Sequence, residues 1–542
     1  MANQNLHLPQ DALKVPDGQN LAAVKLWCEY GIWGLLFYDD QSPWRALIEC
    51  LHVCFDKARR GEAIFDGVDR GSGSAHEVVR YSVPMNWTLR HLIFRDRDIL
   101  RIADSESVDE NAMWTAWQAA LDRSGIKYDY KYLRNAFKNF GDFARAVELL
   151  RSAEIESHTE KRWTSKHLLP LGPSMIFPDV DEKGHADRKY MRRTGELMYL
   201  MLNRSSQRQR LEALIRSRLL PADSAWNRLA ARLAGPDQSY SSEMPIGYLP
   251  LGAHEVYNRL AADWVSLLNL DSIPTESILD PLQRVSGLLQ SLYIVERARE
   301  TIDDGVPIPP FFLDLVGAPG NNPIRKLSAN QHKRHRTMIT EAMNSYLDRF
   351  AASEDWQAVL ENTAGRTLAT HLLTERFRWP APPTPDPDRL PSAEQQLADL
   401  RSATQAGKSH SIGPMFGSHT RQIGMLRSAR GAGTWYAPTD NFLEALVLTN
   451  VRSPMEFGDF LQLLLKRYNL VIGPEEVREA FRVNRVSLPA PQADLQENER
   501  RLEERLRVLG FLDRKSDDCA FVINPFYRAT TALVGDQILV PA

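Results

Sequence analysis

The chain has 542 residues, with 66 Lys+Arg against 69 Asp+Glu for a formal charge of -3, and is 43% hydrophobic and 25% charged. That composition excludes collagen-like, largely disordered and membrane-spanning chains, and at roughly 100–200 residues per domain the length predicts several domains rather than one core. With a net charge near zero, nucleic-acid binding has to rest on local basic patches.

The N-terminus, MANQNLHLPQDALKVPDGQ, has no basic segment followed by an apolar one, and no run reaches the ~18–20 apolar residues that span a bilayer. The cysteines, at 28, 50, 54 and 519, are too few for a disulfide scaffold and make no CxxC pair. A cytoplasmic protein without a membrane partner is expected.

Residues 1–165 are predicted to form a helical N-terminal domain with a few strands: 21–37, 44–59 and 108–124 carry apolar residues at three- and four-residue spacing, and EVVRYSV at 77–83 reads as a strand. A helix-rich middle domain is expected over 166–378, with helical stretches at 254–270, 278–301 and 331–350. The segment WPAPPTPDPDRLP at 379–391 reads as an extended linker, because proline fixes φ and removes an amide donor.

The C-terminal domain, 392–542, has the most legible order. Thr439-Asp440 caps a buried-looking helix over 441–451, Pro454 starts a second through Tyr468, a short helix follows at 474–481, and a longer one runs from about 492 to Leu509 and stops at Gly510. FLDRK and CAFVIN then flank the polar turn 516–518 as a β-hairpin. Helices followed by a hairpin are the layout of a winged helix, here about 437–526. The expected class is therefore mainly α with minor β, a multidomain helical protein ending in a winged-helix-like domain.

Several chemistries fail on their spacing. Gly407-Lys408-Ser409 ends like a phosphate-binding loop, but Ser402 stands where the first glycine belongs and the preceding segment reads as helix. His76-Glu77 and His254-Glu255 begin HExx strings whose second histidine is replaced by Arg80 and Asn258. Cys50 and Cys54 lie on an apolar helix face with Leu47, Leu51 and Phe55, which makes them core residues. Pro178-Asp179 followed by Asp187 and Lys189 resembles the acidic and lysine pattern of metal-dependent nucleases, with Asp179, Asp187 and Lys189 as catalytic candidates, although the intervening VDEKGHA is short and hydrophilic. No catalytic residue, metal site or cofactor is otherwise expected.

Binding is expected where arginine and lysine concentrate, because they neutralise phosphates without regard to sequence. One stretch holds Arg192, Arg193, Arg204, Arg208 and Arg210; a second holds Lys333, Arg334 and Arg336; in the C-terminal domain Arg501, Arg505, Arg514 and Lys515 are placed to follow the helix-turn-helix docking geometry. The alternative for each is a solvated face paired with acids.

The strings RRTGELMYLMLNRS (192–205), WYAPTDNFLEALVLTNV (435–451) and GFLDRKSDDCAFVINPF (510–526) resemble accessory proteins of bacterial multi-gene phage-defence islands of the methylation-associated type. The resemblance implies a bacterial protein working beside a helicase, ATPase, methyltransferase or nuclease, and carries over no catalytic residue. The expectation is a non-catalytic component that binds DNA or partner proteins within a multi-subunit defence complex; the alternatives are a metal-dependent nuclease and a purely structural scaffold subunit.

Overall fold

The computed structural model describes residues 27–34, 41–67, 79–105, 109–123, 129–155, 162–181, 185–187, 191, 193–236, 239–317, 322–384, 386–405, 412–431, 433–481, 489–515 and 519–527. Among them 62% are helical and 7% extended, so the chain is mainly α with small sheets. No helix among them is long and apolar enough to cross a membrane. The Gly407–Ser409 string, the 516–518 turn, Lys189 and Arg192 lie outside the described residues.

The chain divides into two compact units. The first contains the residues up to Ala261 with Glu300–Asp303 and Ile339–His419; the second contains Ala262–Arg299, Asp304–Met338 and the residues from Thr420 onward.

In the first unit the helix Pro43–Arg59 begins with proline after the cap Ser42, whose hydroxyl accepts from the Arg45 amide at 3.3 Å. It crosses the fully buried helix Thr194–Asn203 at Gly195, where a Cβ would lie 2.2 Å from the Ala46 carbonyl oxygen. Only glycine allows that approach. The buried Glu49 carboxylate then caps the second helix from the first: Oε1 accepts from the Arg193 amide (3.0 Å) and Oε2 from the Gly195 amide (2.8 Å). Gln41 completes the cap, accepting from the Thr194 amide at 3.1 Å and donating to Glu49 at 2.8 Å. A carboxylate taken out of water is tolerable only when its oxygens are bonded in this way.

The Pro-rich segment expected to divide the chain lies inside this first unit, between the helices Gly365–Phe377 and Ala393–Gln405. Proline lacks a donor but keeps its neighbours' carbonyls, and side chains clasp them. Arg366 donates to the carbonyls of Asp388 (2.8 Å) and Leu390 (3.1 Å), and Gln396 donates to Pro391 (3.0 Å). The chain passes between the units instead at 261–262, 299–300, 303–304, 338–339 and 419–420.

In the second unit the strands Phe311–Phe312 and Leu470–Val471 pair in parallel. The helix Gln492–Val508 buries Leu495, Leu502 and Leu506, and among them Asn498. The Asn498 amide donates to the carbonyls of Leu313 (2.9 Å) and Ile472 (3.0 Å), and its oxygen accepts from the Leu315 amide (2.7 Å). One side chain thus joins the helix to both chain segments that continue the parallel strands.

The C-terminal elements run as helix Asp440–Asn450, strand Met455–Glu456, helices Phe457–Tyr468, Pro474–Ala480 and Gln492–Val508, then strands Leu512–Arg514 and Ala520–Val522. The last strand is central, antiparallel to both others, with Val522 opposite Met455 and Leu512. Pro454 does not open a helix. Residues 455–456 are drawn into this sheet and the helix starts at Phe457.

Candidate nucleic-acid interface

The second basic stretch lies on the helix Pro323–Ala351. Its inward residues include Ser328, His332 and His335, while Lys326, Lys333, Arg334 and Arg336 are exposed. Lys326 and Lys333 are seven residues apart, about two helical turns, and so share a face. Against the buried side of this helix sits a β-hairpin, Leu426–Ala429 paired with Gly433–Tyr436, in a segment for which the sequence had given no strand.

Tyr436 anchors the hairpin. Its amide donates to the Ser328 hydroxyl (2.8 Å), and its carbonyl accepts from that hydroxyl (3.1 Å) and from the Asp314 amide (2.8 Å). Its phenol lies 2.7 Å from His335 Nδ1, and His335 Nε2 lies 2.7 Å from the Pro309 carbonyl. A carbonyl only accepts, so Nε2 carries the hydrogen and Nδ1 accepts from the tyrosine. Burial pushes His335 down to about 3, which keeps the ring neutral, and Phe311 stacks on it at 4.3 Å. The neighbouring Trp435 is also buried, with the Arg325 guanidinium 4.5 Å above its ring and Asp314 3.4 Å from that guanidinium.

Trp435 and Tyr436 are successive in their strand and so lie on opposite faces of the hairpin, both of them buried. Arg421, Arg427 and Arg430 are exposed. Arg421 donates to the Ser428 hydroxyl at 3.3 Å, which lies 2.9 Å from Thr434 across the strands. His332, at the helix–hairpin junction, is pushed down to about 4 by burial, with the guanidiniums of Arg336 and Arg421 adding to the effect. Helix and hairpin therefore bring positive charge to one place. Among the described residues no carboxylate pairs with Lys333, Arg334, Arg336, Arg427 or Arg430. The sequence has no acidic residue between Asp399 and Asp440, a signal that would have pointed to the hairpin.

The other predicted binding residues have different surroundings. Arg193 opens the helix Thr194–Asn203 with φ 74°, largely buried and 3.7 Å from Glu196. Arg204 is buried and donates to the carbonyls of Leu249 (2.8 Å) and Leu251 (2.6 Å), so it is a structural side chain of the first unit, not a surface one. Arg208 lies half-buried over Gly67, and only Arg210 is exposed. On the helix Gln492–Val508, Arg501 is held by Glu497 (2.8 Å) and Glu504 (3.2 Å), and Arg505 by Asp440 (2.9 Å). Arg514 pairs with Glu503 (3.2 Å) and Lys515 with Asp513 (2.5 Å).

Of the nuclease candidates Lys189 lies outside the described residues, while Asp179 and Asp187 are neighbours, the Asp187 amide donating to the Asp179 carbonyl at 2.8 Å, with their carboxylates engaged by different partners. Asp179 is fully buried; one oxygen lies 3.0 Å from His167 Nε2 and the other accepts from the Met191 amide at 3.1 Å. Asp187 points to Arg162 at 3.5 Å, and the segment between offers only an isolated bridge, Val180 to Ala186. Asp179 thus acts as a hydrogen-bond acceptor of the core, engaged on both oxygens. Among the described residues no group of three or more His, Cys, Asp and Glu side chains is disposed to hold a metal ion. Cys50 and Cys54 are buried, and burial raises the Cys50 thiol well above its usual range. The chain matches no protein-family model, and no curated protein or solved structure is significantly similar to it.

Proposed function

We propose that the chain is a non-catalytic, DNA-binding component of a bacterial phage-defence complex, acting in the cytoplasm beside partner proteins that carry the chemistry. The observation that carries the DNA-binding part is the set of exposed, acid-free cations on the helix Pro323–Ala351, namely Lys333, Arg334 and Arg336. Unpaired cations are free to displace the counterions of a phosphate backbone, whereas paired ones must first lose a carboxylate. The placement in a defence complex rests on the resemblance of the three strings alone.

The C-terminal elements are read as a winged helix, on the order of helices and the three-stranded sheet. Its last helix, Gln492–Val508, presents Arg500 and Arg501 already bonded to Glu497. That mixed, self-neutralised face favours docking to a protein over insertion into a groove.

The test is binding of the full chain to labelled duplex DNA over a salt series. Tight binding at low salt with a steep log–log slope is expected; absence of binding at the lowest salt removes the DNA-binding reading. Co-purification with neighbouring gene products that survives nuclease treatment tests the complex.

A further inference from the structure

Resting on that reading, we infer that the hairpin Leu426–Tyr436 is a duplex-DNA clamp, gripping the phosphate backbone through Arg421, Arg427 and Arg430 while the adjoining helix contributes Arg336. This assigns DNA contact to an element outside the winged-helix-like region. Four features of the hairpin lead there.

First, it is cationic without compensation: its arginines are exposed, Arg427 and Arg430 have no carboxylate partner among the described residues, and the surrounding forty-odd residues of sequence hold no acid. Exposed guanidiniums close together in the chain with no carboxylate between them are favourable mainly when an anion lies against them. Second, the base is rigid, since Tyr436 is fixed by Ser328, Asp314 and His335. A preorganised hairpin forfeits little entropy on binding. Third, the tip is slender. Gly431 (φ 78°) and Gly433 (φ 80°) hold left-handed conformations, and a Cβ at either would meet nothing within 4 Å. Backbone without side chains can approach a ligand closely.

The fourth feature selects the form of nucleic acid. Single strands are bound by stacking bases on exposed aromatic rings. Here Trp435 and Tyr436 are buried at 4% and 0% exposure, one under Arg325 and the other against His335. What remains exposed is guanidinium and hydroxyl from Arg421, Arg427, Ser428 and Arg430, with Arg427 and Ser428 on opposite faces, which suits a double-stranded backbone gripped without base contact.

The test measures the full chain by fluorescence anisotropy on a labelled duplex and on the matching single strand, across a salt series. Arg427→Ala/Arg430→Ala is expected to weaken duplex binding about ten-fold and to flatten the log–log salt slope by about 2, since each phosphate contact contributes roughly 0.9. Arg427→Lys/Arg430→Lys retains the charge and is expected to keep the slope, which separates lost charge from a damaged hairpin. Wild-type duplex binding that the Ala pair leaves unchanged overturns the clamp but spares the proposed function, which then rests on Lys333, Arg334 and Arg336. Preference for the single strand overturns the duplex assignment. Absence of wild-type binding to either probe removes both readings.

Discussion

The hairpin Leu426–Tyr436 and the helix Gln492–Val508 are both arginine-bearing elements of the second unit, and they use arginine in opposite ways. On the helix, Glu497 holds both Arg500 (2.8 Å) and Arg501 (2.8 Å), Glu504 adds a second carboxylate to Arg501 (3.2 Å), and Arg505 reaches Asp440. On the hairpin, Arg427 and Arg430 face solvent with no carboxylate partner among the described residues. The first arrangement neutralises itself and the second stays available. Counting basic residues along a sequence ranks the two alike; the position of the acids separates them.

Their anchors also differ, and breaking each anchor gives the largest expected effects. Asn498→Ala leaves the carbonyls of Leu313 and Ile472 and the Leu315 amide without their buried partner. At about 1–3 kcal/mol per unsatisfied group, partly relaxed, the loss should be about 3–5 kcal/mol. Urea unfolding of the full chain checks it, and a cost under about 1 kcal/mol would show that Asn498 does not tie the helix to the strands. Tyr436→Phe removes one donor and leaves His335 Nδ1 buried and unpaired, for about 1–2 kcal/mol. The hairpin keeps its backbone bonds to Ser328, so its salt-dependent DNA binding should survive this substitution while Arg427→Ala/Arg430→Ala abolishes most of it.

A pH series sharpens the same contrast. Glu499, on the helix, is pushed up to about 7 by burial and then by the carboxylates of Glu476, Glu475 and Glu503. Glu503 is itself paired with Arg514, and Glu476 accepts from Gln462. With the folded value above the unfolded one, Glu499 binds its proton more tightly in the folded chain. Its stabilising contribution is therefore complete below about 4.3 and is lost as pH rises to about 7. Because the group is only partly buried, the loss should be on the order of 1 kcal/mol after screening. Glu499→Gln should abolish that decline; an identical pH profile in wild type and variant would remove Glu499 as its source. The hairpin has no carboxyl group of its own to titrate over this range.

The local features of the fold were legible. Thr439 caps its helix, accepting from the Phe442 amide at 3.4 Å, Gly510 ends the long helix at φ 80°, and the strands of the C-terminal hairpin pair as their alternation predicts. What escaped depends on partners distant in sequence. Asn498 sits on an apolar face because it meets carbonyls 26 and 185 residues away, and Glu49 caps a helix 144 residues on. Arg204 looks like any surface arginine until the carbonyls of Leu249 and Leu251 are brought to it. The candidate interface was half visible: Lys333, Arg334 and Arg336 stood out by density, but the hairpin did not, because Gly431 and Gly433 dilute the strand pattern on either side. The acid-free run around it was a further clue: it offers no local carboxylate, so a partner must come from a distance, as Asp348 does for Arg401 at 2.6 Å.

The smallest expected effect is the most direct way to break the comparison. Glu497→Gln removes the shared carboxylate of Arg500 and Arg501, both of which lie on the exposed side of their helix. Exposed pairs of this kind are worth only about 0.3–0.5 kcal/mol, so the melting transition should barely move. Arg501 keeps Glu504 (3.2 Å), so the freed Arg500 should raise duplex affinity by a few-fold at low salt and steepen the salt slope by about 1, as one added phosphate contact does. If pairing is what silences the helix, this variant acquires part of the hairpin's behaviour. If affinity and slope stay at their wild-type values, the helix is kept from DNA by its shape or orientation, and the state of its ion pairs does not explain the difference between the two elements.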